Sequence, residues 1–282
     1  MKKLGRNDAC WCGSQKKYKH CHEAFDEKLE EAARAGHFIP SHDMIKTPEQ
    51  LEGIRESCKI NIAVLDYVAE HIHAGVTTEE IDKWVYDETT KRGGIPAPLG
   101  YQGFPKSVCT SIDDQVCHGI PSEDVVLKDG DIINVDVSTI YKGYYSDSSR
   151  MFCIGEVSPE KKKLVDVVKE CVELGLEQVK PWGFLGDMAH AVNEHAVKNG
   201  CSVVREIGGH GVGLEFHEEP WVGYIGEPGT GMMMAPGMVF TIEPMVNMGG
   251  CEVYVDDSDG WGVYTEDGRP SAQWEIMVLV TE

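Results

Sequence analysis

The sequence predicts an α+β fold made of two similar α/β halves that face each other across a cleft. Two observations carry this prediction. A long helix, a short helix and a set of strands follow one another twice along the chain, and both long helices begin at a hydroxyl-bearing residue followed by proline, at Thr47-Pro48 and Ser158-Pro159. With 282 residues the chain can bury a substantial core. A cleft between two such halves is a common place for a ligand.

The composition narrows the classes of partner. The chain carries 26 basic and 47 acidic residues, a net charge of −21. This acid excess disfavours direct DNA binding and contact with an anionic membrane. No apolar run is long enough to span a bilayer, and the N-terminus lacks the apolar core of a signal peptide. We therefore expect a cytoplasmic protein whose ten cysteines are thiols or metal ligands.

Residues 1–24 predict a small metal-binding segment. Two cysteines separated by one residue are followed, after eight intervening residues, by an adjacent cysteine and histidine. Three thiolates and one imidazole suit a single tetrahedral structural Zn²⁺, which would stabilise a segment too short to bury a core. The alternative is a disordered tail that holds three cysteines by chance. The expected zinc ligands are Cys10, Cys12, Cys21 and His22, with His20 as the alternative to His22.

This segment resembles the SEC-C motif, the small zinc module at the C-terminus of the translocation ATPase SecA. The resemblance rests on the spacing Cys-x-Cys, eight residues, Cys-His, with Gly13, Ser14 and Tyr18 in between. It implies that the module docks to a larger partner, either the ribosome or an export factor.

Residues 25–43 are expected to link this module to the main domain, residues 44–282. The stretch 23–36 is acidic and rich in alanine, which favours a short helix, and the polar residues after Pro40 favour a linker.

The first half of the main domain begins with the long helix. Thr47 is a capping residue, and Gln50 three positions later completes a capping box. Gly75 is expected to end this helix, and Thr77 to begin a shorter one that closes before Gly93. The apolar residues at helical spacing are Leu51, Ile54, Cys58, Ile62, Leu65, Val68 and Ile72.

The second half repeats this order. Ser158 caps the second long helix, residues 187–199 predict the second short helix, and Gly200 closes it. Strand-like segments follow to the C-terminus. The apolar face of the second long helix comprises Leu164, Val165, Val168, Cys171 and Val172.

Between the two halves, residues 133–152 predict a β-hairpin that carries two aspartates. A turn at residues 141–142 would place Asp136 directly opposite Asp147, whereas a turn at 142–143 would make them diagonal neighbours. Either register puts both carboxylates on one face, because strand side chains alternate. Two carboxylates this close repel unless a cation or a proton lies between them. We interpret the pair as half of a metal site.

The second half of the chain holds candidates for the rest of the site. Four glycines surround His210 within residues 208–213, where they allow a close approach of the backbone. Glu243 and Glu275 lie in apolar strand-like segments, where a lone buried carboxylate is costly. Each glutamate taken singly fits a solvent-facing position. Four carboxylates and one imidazole together suit two divalent ions, such as Mn²⁺, Co²⁺, Fe²⁺ or Zn²⁺, which indicates hydrolysis.

Residues 44–282 resemble a type I methionine aminopeptidase, which has the pita-bread fold. The matching stretches span nearly the whole domain in the family's order, without the long second-half insertion that marks the type II enzymes. Besides the aspartate hairpin, they are Lys106-Ser-Val-Cys-Thr-Ser, Val116-Cys-His-Gly-Ile-Pro, Gly209-His-Gly-Val-Gly, Phe216-His-Glu-Glu-Pro, Thr241-Ile-Glu-Pro-Met and Gln273-Trp-Glu. The resemblance implies removal of N-terminal methionine from nascent proteins and peptides, preferably when the second residue is small.

The resemblance also implies roles for the metal ligands. Asp147 and Glu275 would bridge the two ions, and Asp136 would chelate one of them. His210 and Glu243 would complete the other. A hydroxide that bridges the metals would then attack the first peptide bond.

Three side chains are implied to assist the chemistry. His217 would stabilise the oxyanion by a hydrogen bond. His118 would contact the scissile amide and help the leaving amine, and Glu243 would serve as general base beside its ligand role.

An apolar pocket for the methionine side chain is implied as well. For each of its residues, taken alone, ordinary core packing is the alternative reading. Phe104 stands where many relatives have tyrosine, and Pro98 where some have cysteine, and these departures concern substrate preference. The pocket positions are Tyr101, Phe104, Cys109, Phe216 and Trp261.

Three rival interpretations stay open at this point. Prolidases and proline aminopeptidases share the fold and the metal set, but the short N-terminal module favours the methionine enzyme. Non-catalytic proteins of this fold have lost metal ligands, whereas all five positions are intact here. A zinc-dependent adaptor is the third alternative. The resemblance further implies a monomer.

Overall fold

The computed structural model describes residues 4–282, and two helices precede the strands in each half, as the sequence predicts. The helices are α1 (Glu23–Arg34), α2 (Pro48–His71), α3 (Thr78–Lys91), α4 (Pro159–Glu177) and α5 (Leu185–Lys198). The strands of the first half are β1 (Ile95–Pro96), β2 (Cys109–Ile112), β3 (Gln115–Cys117), β4 (Ile132–Tyr141) and β5 (Tyr144–Cys153). Those of the second half are β6 (Ser202–Val203), β7 (Gly209–Gly211), β8 (Glu218–Val222), β9 (Val239–Ile242), β10 (Met245–Asn247), β11 (Val253–Val255), β12 (Val263–Thr265), β13 (Ser271–Gln273) and β14 (Ile276–Leu279).

The named strands form four sheets, and every strand pair in them is antiparallel. The first has the order β1-β4-β2, with β5 paired to β4, and the last has the order β14-β9-β7-β8. The remaining two are β13-β10-β6 and β11-β12-β3, so that β3 joins strands of the second half. A bridge between Ser149 on β5 and Glu275 just before β14 links the first sheet to the last. This bridge brings the aspartate hairpin against the second half of the chain.

The capping box predicted for α2 is present. The Gln50 backbone N–H donates to Thr47 Oγ1 at 3.3 Å, and the Thr47 N–H donates to Gln50 Oε1 at 2.8 Å. The helix ends at His71, four residues before the glycine at 75 that was expected to stop it. Helix ends fray within a turn, and the glycine serves the connection to α3 instead.

The buried face of α2 differs from the predicted apolar stripe. Ile62 is 49% exposed, whereas Ile60 and Val64 are buried. The centre of the buried face carries Ser57 and Asn61, whose side chains donate to backbone carbonyls of β4. Ile54, Leu65 and Val68 are buried as predicted. Because Ser57 and Asn61 are polar, apolar spacing alone does not show that they lie at the centre of this face.

The second half has its own core, and α1 contributes to it. Leu29 on α1 is fully buried and Ala32 is 7% exposed, in one cluster with residues of α4, α5 and β9. The rings of Phe25 and Trp182 meet edge to face at a centroid distance of 5.2 Å. The segment predicted as a linker therefore contains a helix that packs on the main domain. The boundaries 1–24, 25–43 and 44–282 themselves stay a prediction.

The helix α5 begins at Leu185, two residues before the predicted start at Asp187. The Phe184 N–H donates to Asp187 Oδ2 at 3.0 Å, so the aspartate caps the helix from its third position. Within residues 4–282, no helix combines the length and the apolar character needed to cross a bilayer.

Candidate active site

The register of the aspartate hairpin selects one of the two predicted arrangements. Asp136 pairs with Ser149, and Asp147 pairs with Ser138. The two aspartates are therefore diagonal neighbours, and the turn lies at residues 142–143, where both residues have positive φ. Two consecutive left-handed residues form the tight turn that matches strand twist.

The sheet of the second half delivers the other candidates to this pair. His210 Nε2 on β7 lies 3.7 Å from Asp147 Oδ2 and 3.5 Å from Glu243 Oε1. Ligand atoms of Asp147, His210 and Glu275 all lie within 4.8 Å of one another. Asp136 lines the same cavity. The structure thus brings together all five predicted metal ligands.

Two glycines beside His210 are required by close packing. A Cβ at Gly209 would collide with the Tyr224 hydroxyl and with Thr241, and one at Gly211 with the backbone of Glu219. The His210 Nδ1 atom lies 2.9 Å from the Gly211 carbonyl oxygen, to which it can donate. In that tautomer Nε2 carries the lone pair and faces the carboxylates, as a metal-ligating imidazole requires.

Burial changes the ionisation of the four carboxylates. It raises the pKa of Asp136 to about 7 and that of Glu243 to about 8. The pKa values of Asp147 and Glu275 are raised well above their usual range, first by burial and then by repulsion from neighbouring carboxylates. The cluster therefore resists full ionisation unless a positive charge accompanies it.

The donor set fits divalent cations. Asp136 Oδ1 is buried without a hydrogen-bond partner among residues 4–282. The other carboxylates are oriented by neutral donors, with Ser138 Oγ 2.8 Å from Asp147 Oδ1 and Thr241 Oγ1 2.7 Å from Glu243 Oε1. Such donors fix carboxylate orientation without neutralising the charge, as outer partners of metal ligands do.

Two further histidines face the cavity. His217 Nδ1 lies 3.0 Å from the Tyr101 hydroxyl, and its ring centroid lies 4.2 Å from that of His210. Burial lowers the pKa of His217 to about 4, with repulsion from His210 and His118 adding to the effect. Burial also lowers the pKa of His118. Both imidazoles are therefore neutral at pH 7 and can donate one N–H each without carrying a charge.

The cavity above the cluster has a volume of about 420 Å³ and combines apolar walls with this polar end. Phe104 meets Trp261 edge to face at a centroid distance of 5.1 Å, and Tyr101 meets Phe216 at 4.8 Å. Burial raises the pKa of the Cys109 thiol, so it is a neutral, small wall residue. All five predicted pocket residues line this one cavity, as does His118.

Several other residues of the cavity wall were not predicted from the sequence. Ser138 could have been found, because it lies two residues after Asp136 and so shares its strand face. Gln102, Glu206 and Trp221 also line the cavity, and no spacing in the sequence marks them.

The N-terminal cysteines converge as predicted. Ligand atoms of Cys10, Cys12, Cys21 and His22 lie within 4.8 Å of one another. His22 Nδ1 is 3.2 Å from the sulfurs of Cys10 and Cys21, and His20 is not part of this group. Three thiols and one imidazole at these distances fit one tetrahedral Zn²⁺.

Trp11 fixes the cysteine cluster to the rest of the chain. Its indole stacks on His42 at a centroid distance of 3.9 Å and lies 4.3 Å from His22. Its Nε1–H donates to Asp26 Oδ2 at 3.1 Å, and the Tyr18 hydroxyl donates to the same oxygen at 2.8 Å. The small segment is thus attached through α1 rather than free.

Comparison with known proteins identifies relatives over the full chain. The sequence profile of metallopeptidase family M24 matches residues 52–282, and that of the SEC-C motif matches residues 6–24. A methionine aminopeptidase of Chlamydia pneumoniae is 43% identical over 282 residues, which cover 99% of this chain and 96% of the relative. Methionine aminopeptidase A of Synechocystis sp. is 48% identical over 233 residues, which cover 83% of this chain and 92% of the relative.

Solved structures of methionine aminopeptidases also match this chain. The crystal structure of methionine aminopeptidase from Rickettsia prowazekii matches with a TM-score of 0.82 and 42% identity, and the match covers 84% of this chain and 95% of that one. A prolidase from Pyrococcus furiosus matches with a TM-score of 0.66 and 24% identity over 85% of this chain and 63% of its own. At that identity the prolidase shows a shared fold alone.

Proposed function

The chain belongs to metallopeptidase family M24, and we infer that it is a metal-dependent aminopeptidase that removes the N-terminal methionine from polypeptides. The predicted pita-bread fold is confirmed by the match to solved methionine aminopeptidases. One observation of the site carries the inference. A single cavity of about 420 Å³ joins an apolar aromatic wall to four carboxylates, three of them on buried residues, and an imidazole. Such a cavity suits an apolar side chain held beside the bond to be hydrolysed.

We propose that two divalent ions occupy the cluster. Their ligands would be Asp136, Asp147, His210, Glu243 and Glu275, and the candidate metals are Mn²⁺, Co²⁺, Fe²⁺ and Zn²⁺. The unpaired, buried Asp136 oxygen and the raised carboxylate pKa values support this assignment. When bound, such ions supply an activated water nucleophile and polarise the carbonyl group.

The residues beside the cluster would then handle substrate and protons. Neutral His217 can donate an N–H to the carbonyl oxygen of the first residue as negative charge develops there. His118 faces the same cavity and can contact the scissile amide nitrogen. Glu243, held by Thr241 and by Gln273 Nε2 at 3.0 Å, would accept the proton from the attacking water.

We propose that the methionine side chain lies against Tyr101, Phe104, Cys109, Phe216 and Trp261. The edge-to-face aromatic pairs give these walls a fixed shape, which favours an unbranched apolar side chain. A small second residue would be preferred. Comparing cleavage rates for Met-Ala-Ser and Met-Leu-Ser tests that preference, and equal rates would contradict it.

The proposed setting is the cytoplasm, with nascent polypeptide N-termini as substrates and a monomeric enzyme. All ten cysteines carry free thiols, which suits a reducing compartment. The N-terminal segment would hold one structural Zn²⁺ through Cys10, Cys12, Cys21 and His22 and would dock to the ribosome or to an export factor. The converged ligand atoms and the SEC-C match support this proposal.

The decisive experiment measures release of free methionine from Met-Ala-Ser by chelator-treated protein. We expect no release without metal and restored release after addition of Mn²⁺ or Co²⁺. An Xaa-Pro peptide serves as the specificity control and should be cleaved poorly. Absence of release with every metal would overturn the proposed function, and faster cleavage of the Xaa-Pro peptide would assign the site to proline-specific hydrolysis instead.

A further inference from the structure

We propose that the buried ion pair between Lys46 and Glu218 positions His217 for the reaction, a role that rests on the function proposed above. The two residues are 172 positions apart in the chain. Only 1% of the Lys46 side chain and 14% of the Glu218 side chain are exposed. The pair is thus largely withdrawn from water, and Glu218 is the immediate neighbour of His217 in the sequence.

The two oxygens of the Glu218 carboxylate accept hydrogen bonds from different groups. Its Oε1 atom accepts hydrogen bonds from the backbone N–H of Leu214 at 2.6 Å and of Glu215 at 2.9 Å. Its Oε2 atom accepts from the Lys46 ammonium. One side chain therefore closes the loop of residues 214–218 and ties that loop to Lys46.

Lys46 is held in place independently of this loop. Its backbone N–H donates to the Gly237 carbonyl at 2.9 Å, and the preceding Ile45 bridges Met238. The capped start of α2 follows at the next residue. The ammonium group therefore acts from a fixed backbone, and the charge-assisted hydrogen bonds transmit that position to the loop.

The loop also has a second attachment close to its start. The Gly213 carbonyl accepts a hydrogen bond from the Tyr145 N–H at 2.9 Å, on strand β5 of the first half. Between this attachment and Glu218, the chain projects Phe216 and His217 towards the cavity. Since an oxyanion donor is effective only in a narrow range of positions, loosening the loop at its Glu218 end should reduce the benefit of His217.

The test is a double-mutant cycle between Lys46→Met and His217→Ala in full-length, metal-loaded protein with Met-Ala-Ser as substrate. In the parent background we expect Lys46→Met to lower kcat about 10²-fold, as for a misplaced catalytic group. KM should stay unchanged, because the pocket residue Phe216 is also held by the rings of Tyr101 and Tyr145. The interaction lost at His217 acts in the transition state. In the His217→Ala background the same substitution should cause no further fall in kcat. Metal content is measured for every variant and should equal that of the parent.

Two additional measurements keep the test independent of folding. Lys46→Met/Glu218→Gln leaves no unpaired buried charge, since the neutral amide can still accept from the loop N–H groups, and it should show the same loss of kcat. Amide hydrogen exchange should accelerate within residues 213–218, while residues 239–242 of the neighbouring strand stay as protected as in the parent.

The outcomes separate the two proposals. Equal losses of kcat in both backgrounds, or parental kcat in the folded double variant, would show that the ion pair does not act through His217. A His217→Ala enzyme as fast as the parent would refute the role of His217 itself, and the positioning proposal with it.

Discussion

The Asp136 carboxylate needs a proton or a cation beside it at its position in the site. Its Oδ1 atom is buried without a hydrogen-bond partner among the described residues, and a charged acceptor left in that condition costs at least about 1–3 kcal/mol. Burial raises its pKa to about 7, so a proton can relieve part of that cost in the absence of metal. A bound divalent ion would supply the missing partner. The residue is therefore expected to be more important for metal affinity than for the fold.

We predict that Asp136→Ala or His210→Ala abolishes methionine release because the cluster loses metal. Each substitution removes one donor and leaves Asp147, Glu243 and Glu275 buried together. Metal content by elemental analysis and activity on Met-Ala-Ser check this prediction. A variant that retained both the ions and the activity would show that the residue is not a ligand.

His217→Ala is predicted to behave differently. The ions should stay bound, while kcat falls by about 10²–10³, as after removal of one oxyanion donor. The comparison is made at saturating metal, with Asp136→Ala as the metal-losing reference. Undiminished kcat would contradict the assigned role.

For single residues, the sequence indicates which side chains carry the chemistry but not which residues those side chains contact. Asp136, Asp147 and His210 stand out because a paired carboxylate and a glycine-flanked imidazole are unusual in themselves. The ion pair between Lys46 and Glu218 could not be predicted, because the two residues lie 172 positions apart. Lysine and glutamate usually lie at the protein surface, where ion pairs contribute little.

At the scale of elements, local signals predicted where α2, α3 and α4 begin, whereas the start of α5 was missed by two residues. Tertiary contacts determine the buried faces and the strand register. The capping box at Thr47 was predicted and is present, since it depends on four consecutive residues. The buried face of α2 was predicted only in part, because the polar Ser57 and Asn61 are buried by hydrogen bonds to β4. The hairpin register was left open, because it depends on positive φ at both turn residues, which lysine adopts only under the constraint of the strands.

The packing of α1 predicts that this helix supports the stability of the second half. Leu29→Ala should lower the free energy of unfolding by about 2–5 kcal/mol, since the leucine is fully buried in that core. Denaturant unfolding monitored by circular dichroism measures the change. The matched control is Leu176→Ala on α4, where 46% exposure predicts a loss within about 0.5 kcal/mol. Equal losses for the two variants would mean that α1 is not part of the core.

At the scale of the molecule, the site is divided between the halves. The first half supplies Asp136 and Asp147, and the second supplies His210, Glu243 and Glu275. Metal bound to all five would therefore connect the halves as well as serve the reaction. The duplication of helix and strand order predicted this facing arrangement, whereas the side chains that line the cavity rim depend on loop conformations that the sequence pattern does not encode.

Burial of the carboxylates at this shared site predicts that the folding stability of the metal-free protein depends on pH. In the unfolded chain the carboxylates have pKa values of about 4. In the folded chain burial raises the pKa of Asp136 to about 7 and that of Glu243 to about 8. The folded carboxylates therefore bind more protons between these limits, and their contribution to stability falls as pH rises. Buried histidines act in the opposite direction below about pH 6.5, because burial lowers the pKa of His118, His210 and His217. The net stability is therefore expected to fall with pH above about 6.5, where the unfolded histidines are neutral as well.

Thermal unfolding of chelator-treated protein between pH 6.5 and 8.5 checks this expectation. Bound ions would take the place of the protons on the carboxylates and stabilise the folded state. The Tm should decrease with pH without metal and stay nearly constant with saturating Mn²⁺. A metal-free Tm that rose over this range would contradict the buried, uncompensated state of the cluster.

The position of Trp11 has an optical consequence. Trp11 stands between Cys10 and Cys12 in the sequence, and its indole lies 4.3 Å from the His22 ring and stacks on His42. Indole fluorescence is sensitive to nearby sulfur and imidazole groups, so loading or stripping of zinc should change the emission of this tryptophan. The chain has six tryptophans, and the difference between the parent and Trp11→Phe isolates the signal of one. The protein thus contains an intrinsic, label-free reporter of the occupancy of its smaller metal site, readable while the larger site turns over.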